Sequence, residues 1–254
     1  MKLFIKNRKG LNICVVVDKA ENQKGLAFLM HGHGMTKHQD IIESFAKIFA
    51  DNNYTVICFD ATHSYGESDG NSEDSTVTNY YEDLEDVIKW SESQEFYEAP
   101  FVLAGTSVGS TVITHFAQKY PNKLKGIIPA SCVISGNLAL EVTDKKMLKE
   151  WKKKGYKEWN SVSEPGLVKR INYTYFEDKM KYDLLKKADK LKMPVLIITG
   201  EKDTTTPVAH QKILFNKLPG RKEFHIIKGA PHNIKGEHLN EVKSICDKWI
   251  KSLS

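Results

Sequence analysis

The chain reads as an α/β protein in which a mostly parallel central sheet carries helices on both faces and accepts one small helical insertion. Three observations predict this. Short apolar runs of strand length recur along the chain, and stretches with apolar residues at helical spacing separate them. The loops that follow several of these runs combine glycine with serine, histidine or aspartate. In open α/β sheets such loops gather at the carboxyl ends of the strands, where ligands bind.

In order, residues 2–6 and 11–18 flank Asn7-Arg8-Lys9-Gly10 and predict a hairpin. Residues 25–30 (GLAFLM) form a buried strand that runs into His31-Gly32-His33-Gly34. Ile41, Ile42, Phe45, Ile48 and Phe49 mark a helix over about residues 39–52. Residues 55–59 are a strand ending at Asp60, and a polar, glycine-bearing loop follows. A helix is predicted over about 80–92, then a strand at 101–104, a helix, and another strand at 124–129. Between about 135 and 190 the pattern changes to charge-rich helical pieces with many aromatics and no strand alternation. Strands at 194–199 and 223–227 and helices at about 208–218 and 237–253 complete the sheet. With no repeat, linker or low-complexity tract, residues 1–254 read as one domain with an insertion at 135–190.

The stretch that organises the rest is 100–120, PFVLAGTSVGSTVITHFAQKY. Gly105-Thr106-Ser107-Val108-Gly109 stands between a strand and a helix, the context of a nucleophile elbow. There a serine occupies a strained turn, and glycines two positions away let strand and helix approach. A serine hydroxyl needs a base to take its proton, and the base needs a partner to fix its tautomer. Asp203 follows the 194–199 strand and His232 follows the last one, giving the order Ser107, Asp203, His232. Glu201 and Asp60 also end strands, but Asp203 has more room to turn back and Asp60 precedes a glycine-bearing loop as a turn-capping acid does. The oxyanion of an acyl transfer needs two backbone N–H donors. Val108, after the nucleophile, supplies one, and His33 in the glycine-flanked loop the other, with Gly34 next; His31 is a structural hydrogen-bonder.

Composition bounds the alternatives. Hydrophobic residues at 41% and charged residues at 27% suit a soluble globular protein, and the net charge of +5 reads as a lysine-rich solvated exterior. No basic run is interleaved with aromatics as nucleic-acid binding would require. The first ten residues are too polar for a signal-peptide core, and no apolar run reaches membrane-spanning length. Cys14, Cys58, Cys132 and Cys246 are widely spaced and predict free thiols, hence a cytoplasmic protein. Neither they nor His31 and His33 suggest a metal site, and no cofactor is expected.

With these residues placed, the chain resembles the α/β-hydrolase superfamily over nearly its whole length. Within it, the chain is similar to bacterial cinnamoyl (feruloyl) esterases and to neighbouring serine-aminopeptidase-like and monoacylglycerol-lipase-like hydrolases. The likeness rests on His31-Gly32-His33-Gly34, Asp60 with 66–70 (GESDG), Thr76-Val77 with Asn79 and Asp83, the 105–109 elbow, Gly200 with Asp203, and Ala230 with His232. It implies Ser107 as nucleophile, Asp203 and His232 as its partners, and His33 and Val108 as oxyanion donors. The chain departs from the esterase group at Thr106 and Val108, where that group has His and Gln or Met, and at His33, where it has an apolar residue. Ser107 at the elbow disfavours dehalogenase and epoxide-hydrolase chemistry, which needs a carboxylate there.

The expected activity is hydrolysis of small carboxylic esters, short-acyl or hydroxycinnamoyl, through an acyl-enzyme. Amide or thioester hydrolysis or acyl transfer by the same residues is the alternative; a non-catalytic ligand-binding protein would be expected to have lost one of them. An aminopeptidase would need acids in the insertion to hold a substrate ammonium, and Glu141, Asp144, Glu158, Glu164, Glu177 and Asp178 are available. Residues 145–154 place Met147, Leu148 and Trp151 on one helical face. With Tyr156, Trp159, Tyr173, Tyr175 and Phe176 they predict either a small aromatic core or an acyl pocket. No stable membrane insertion is expected, and the sequence leaves monomer and homodimer open.

Overall fold

The computed structural model describes residues 1–160, 166 and 168–253. Ten strands and eight α-helices are assigned among them. The strands are β1 (Lys2–Lys6), β2 (Asn12–Asp18), β3 (Gly25–Met30), β4 (Tyr54–Phe59), β5 (Phe101–Thr106), β6 (Leu124–Ala130), β7 (Tyr156–Asn160), β8 (Val168–Asn172), β9 (Val195–Gly200) and β10 (Lys222–Ile227). The helices are α1 (Asp40–Asp51), α2 (Val77–Ser91), α3 (Val108–Lys119), α4 (Gly136–Glu141), α5 (Lys145–Lys154), α6 (Thr174–Lys179), α7 (Val208–Lys217) and α8 (His238–Lys251).

Eight strands form one sheet in the order β1-β2-β4-β3-β5-β6-β9-β10. The β1–β2 hairpin joins it antiparallel, through β2 on β4, and the remaining neighbours are parallel. The predicted α/β class is therefore what the chain adopts. The reason lies in strands such as β3, all six residues of which are buried. Its Leu26, Phe28 and Met30 pack into a core with α2 and α3 on one face, whereas Ala27 and Leu29 pack against α1 and α8 on the other. A strand covered on both sides needs apolar side chains at successive positions, which is why these runs do not alternate. Every parallel strand then delivers its following loop to the same edge, and the candidate site lies there.

Two elements differ from the sequence reading. Helix α2 starts at Val77, three residues before the expected turn, because the Thr76 side chain caps it by accepting from the Asn79 amide at 3.0 Å. More consequential is the antiparallel hairpin β7–β8 inside 135–190, where no strand was expected. Its inward face carries Lys157 and Trp159 from β7 and Lys169 and Ile171 from β8. Two of those four side chains are lysines that bury their stems, so the period-2 pattern is invisible to hydropathy. Trp151 of α5 is buried against Tyr173 and Phe176, and its indole N–H donates to the Ile171 carbonyl at 3.2 Å. The aromatic side chains of this excursion between β6 and β9 thus join the core on the α2–α3 face of the sheet. The excursion is fastened to the rest through Thr78, whose amide and hydroxyl both donate to the Asp178 carboxylate at 2.8 Å.

Candidate active site

Ser107 stands between β5 and α3 with φ 54° and ψ −119°, a left-handed conformation that costs a residue with a Cβ. The turn holds because its surroundings over-determine it. The Ser107 amide donates to the Ala130 carbonyl at the end of β6 at 2.9 Å. A Cβ at Gly105 would lie 2.8 Å from the Gly109 backbone, and one at Gly109 would collide with the Met30 carbonyl and lie 2.6 Å from that of His31. Glycine at both positions is thus what lets α3 start directly against β3 and β5.

The three residues expected to act together meet. His232 Nε2 is 3.0 Å from Ser107 Oγ, and His232 Nδ1 is 2.8 Å from Asp203 Oδ2. Asp203 is almost fully buried, and its Oδ1 accepts from the amides of Thr205 and Thr206 at 2.9 and 2.7 Å. Its Oδ2 also accepts from the Thr206 hydroxyl at 2.7 Å. Burial alone would raise this carboxyl; the hydrogen bond and charge of His232, with the Thr206 donors, outweigh it and hold the group at about 2. Asp203 is therefore ionised, and it fixes the imidazole with its proton on Nδ1 and Nε2 free to accept from Ser107. The other strand-end acid, Asp60, is engaged elsewhere: it accepts from the Lys37 amide and ammonium, both at 2.7 Å, and from the Glu67 amide at 2.9 Å. Cys14, Asp60 and Glu67 come close enough to resemble a metal-ligand group, but the Lys37 ammonium sits on both carboxylates and supplies the cation itself.

The loop after β3 lies against the nucleophile: a Cβ on Gly32 would be 3.4 Å from that of Ser107. The Gly32 amide is taken by Gln39 Oε1 at 3.0 Å, and Gln39 Nε2 donates onward to Asn233 at 3.0 Å, which ties this loop to the one bearing His232. The amide of Val108 opens α3, where no preceding turn can accept it. Among the described residues neither it nor the His33 amide has a hydrogen-bond partner. His31 is buried, accepts from the Ala61 amide through Nε2 at 3.0 Å and faces the Gly32 carbonyl through Nδ1, so it is neutral and structural as expected. The His33 ring packs against Tyr175, tilted by 40° with the ring centroids 4.3 Å apart, and borders a cleft of about 340 Å³ that Trp159, Lys169 and Asn233 also line.

Thr206 and Gln39 were not anticipated. For Thr206 a signal existed: an aspartate whose carboxylate caps the amides two and three residues on is an Asx-type turn, and 203–207 reads DTTTP. For Gln39 there was none, since its partners lie in loops far apart in sequence.

The profile of one protein family, described as serine aminopeptidase, S33, matches residues 22–172 and 172–238. The chain belongs to that family. Among characterised relatives, it is 30% identical over 173 residues to the mitochondrial palmitoyl-protein thioesterase ABHD10 of Bos taurus, a match covering 65% of this chain and 52% of that one. It thus spans about half the length of that thioesterase. It is 21% identical over 255 residues to the monoacylglycerol lipase ABHD6 of Bos taurus, covering 87% and 74% of the two chains. Among solved structures, Est1E from Butyrivibrio proteoclasticus with ferulic acid bound superposes with a TM-score of 0.83 over 99% of this chain and 98% of that one, at 18% identity. At that identity the likeness speaks for the fold. Family and fold make this chain an α/β-hydrolase with esterase-, thioesterase- and lipase-type relatives. Among the described residues no helix is long and apolar enough to cross a membrane.

Proposed function

We propose that the protein is a serine hydrolase of carboxylic esters acting through an acyl-enzyme. The observation that carries this reading is the continuous chain Ser107 Oγ–His232 Nε2–His232 Nδ1–Asp203 Oδ2, at 3.0 and 2.8 Å, on a strained elbow. Ser107 Oγ attacks the carbonyl carbon while its proton passes to His232 Nε2. The carbonyl π pair moves to oxygen, and the amides of Val108 and His33 hold the resulting charge. Collapse breaks the bond to the leaving group, which takes the proton from His232. A water then gives its proton to His232 and attacks the acyl carbon, and the Ser107 oxygen leaves with that proton, releasing the acid.

We assign residues 135–190 the role of a lid. Two contacts support this: the Tyr175 ring packs against His33, and Lys169 Nζ donates to the Gly34 carbonyl at 2.9 Å. The likeness to a structure with ferulic acid bound supports small aromatic esters as first substrates, and that to a monoacylglycerol lipase supports acyl esters. Thioesters are the second reading, favoured by the identity to a palmitoyl-protein thioesterase. An aminopeptidase is less well supported. Asp178 is committed to Thr78 and Lys181, Asp144 caps α5 through the Met147 amide, and Glu158 pairs with Lys154; Glu141 and Glu177 are exposed. Glu164 lies outside the described residues.

Initial rates on p-nitrophenyl butyrate, methyl ferulate and a butyryl thioester, for the wild type and Ser107→Ala, test the proposal. The wild type is expected to turn over at least one ester and to be labelled by a fluorophosphonate, and Ser107→Ala to lose both properties. Activity retained in Ser107→Ala, or a wild type inert towards all three, refutes it.

A further inference from the structure

The described part of the segment over the site is cationic where it faces inward. Lys157 of β7 lies over the rings of Trp151 and Trp159, 4.3 and 5.7 Å from their centroids, and Trp159 lines the cleft. Lys179, at the end of α6, sits beside Tyr175 and Phe176, and Tyr175 is the ring packed against His33. Both lysines are half-buried, and among the described residues neither has a carboxylate partner. Nearby acids do not serve them. Asp178 is bound to Thr78 and Lys181, Glu158 points outward to Lys154, and Asp40 stands exposed at the wall of the cleft that Lys235 also lines.

Among the described residues only ring faces stand against these two half-buried ammonium groups, and a ring face compensates a buried cation only in part, where a carboxylate would do so more fully. Their charges reach the site. The His33 imidazole is pushed down to about 3, first by burial and then by repulsion from Lys157 and Lys179, with a smaller contribution from Lys169. They also reach one another: Lys179 is pushed down to about 8 by burial and then by Lys157. A ligand anion between them would relieve both the desolvation and the mutual repulsion.

We propose that Lys157 and Lys179 are specificity-determining residues that hold a carboxylate of the substrate, so that the preferred ester is an anionic one. This deepens the esterase reading and rests on it. The neutral esters in common assay use would then be turned over, but more slowly than the true substrate, an ester whose acid or alcohol part bears a second, ionised carboxyl.

Two matched pairs of esters test this. For the acyl side, p-nitrophenyl hydrogen glutarate is compared with its methyl ester; for the leaving side, 7-butyryloxycoumarin-3-carboxylate is compared with its methyl ester. In one pair the wild type is expected to favour the anion in kcat/KM by about tenfold or more, the factor that 1.4 kcal/mol supplies. That pair locates the carboxylate. In Lys157→Met/Lys179→Met the same ratio should fall to near one. The ratio is internal to each protein, so loss of folded enzyme does not counterfeit the result. Should the double variant not fold, the wild-type ratio decides, because a preference of this origin shrinks between roughly 20 mM and 500 mM salt. A ratio near one in both pairs while the neutral esters are cleaved, or a preference that survives the double substitution, overturns the proposal and leaves the esterase reading standing. If no ester is cleaved, the esterase reading falls and this inference with it.

Discussion

Asp203→Asn is the sharpest probe of the proposed mechanism, because the structure dictates which way the new amide must point. Oδ1 of Asp203 receives two backbone N–H groups, from Thr205 at 2.9 Å and Thr206 at 2.7 Å. An amide NH₂ cannot occupy that position without facing both donors, which would forfeit two hydrogen bonds at about 1–3 kcal/mol each. The NH₂ therefore takes the Oδ2 position, 2.8 Å from His232 Nδ1. There it donates. The Thr206 hydroxyl, now 2.7 Å from a donor, can rotate to accept, so nothing local opposes this orientation. His232 Nδ1 must become an acceptor, and the ring proton moves to Nε2, the atom that should take the proton of Ser107.

The same tautomer inversion in a serine-protease triad lowers kcat by about 10⁴ with the geometry intact. A fall of ~10³–10⁴ in kcat on the best ester, with KM changed far less, is expected here on the same grounds. The assay is initial rate against substrate concentration across neutral and alkaline pH. The residual activity should climb with pH, since hydroxide can then stand in for the missing base. Asp203→Asn retaining more than about a tenth of wild-type kcat at neutral pH would refute the assignment, since that loss is only 1.4 kcal/mol.

Two further outcomes follow from the same contacts. Gly109→Ala forces a Cβ into the carbonyl oxygens of Met30 and His31, both backbone atoms that no rotamer change can move. A loss of about 1–3 kcal/mol is expected, seen in thermal melts as a fall of roughly 2–4 °C per kcal/mol; the displaced loop should lower kcat as well, and an unchanged melt would contradict the packing described. Acid titration reads Asp203 directly. Its carboxyl lies at about 2 in the fold against an ordinary 3.8, so the unfolded chain binds the proton more readily. The stabilisation, about 2 kcal/mol, is fully present above pH ~4 and is lost as the pH falls through ~2. Asp203→Asn should therefore show a shallower loss of denaturation free energy than the wild type between those pH values, and parallel curves would remove the argument.

How much was legible in the sequence depended on where each cause lay. The elbow and the two strand-end partners could be found because each is set by local backbone: glycines flanking Ser107, and loops that begin where β9 and β10 stop. The parallel sheet was legible because strands buried on both faces are continuous apolar runs. Asp60 could be weighed only loosely, since what commits it to structure is Lys37, 23 residues earlier in sequence. Gln39, which bridges Gly32 to Asn233 and lies 194 residues before Asn233, had no local signature at all.

The hairpin β7–β8 failed to show in the sequence for a reason that bears on function. A strand whose inward face holds only apolar side chains announces itself by alternation. Here Lys157 and Lys169 take inward positions beside Trp159 and Ile171, and a hydropathy pattern counts them as outward. A fold that needed only a covering ribbon would have no use for charge on that face, because each half-buried ammonium works against burial. The breach of patterning is therefore informative in the way such breaches usually are: local rules fail where a site makes a competing demand. Lys169 meets that demand by holding the Gly34 carbonyl at 2.9 Å, beside the residue proposed to bind the oxyanion. Among the described residues Lys157 and Lys179 have no such carbonyl, only aromatic rings beneath them, and a substrate carboxylate is the chemistry that would complete them.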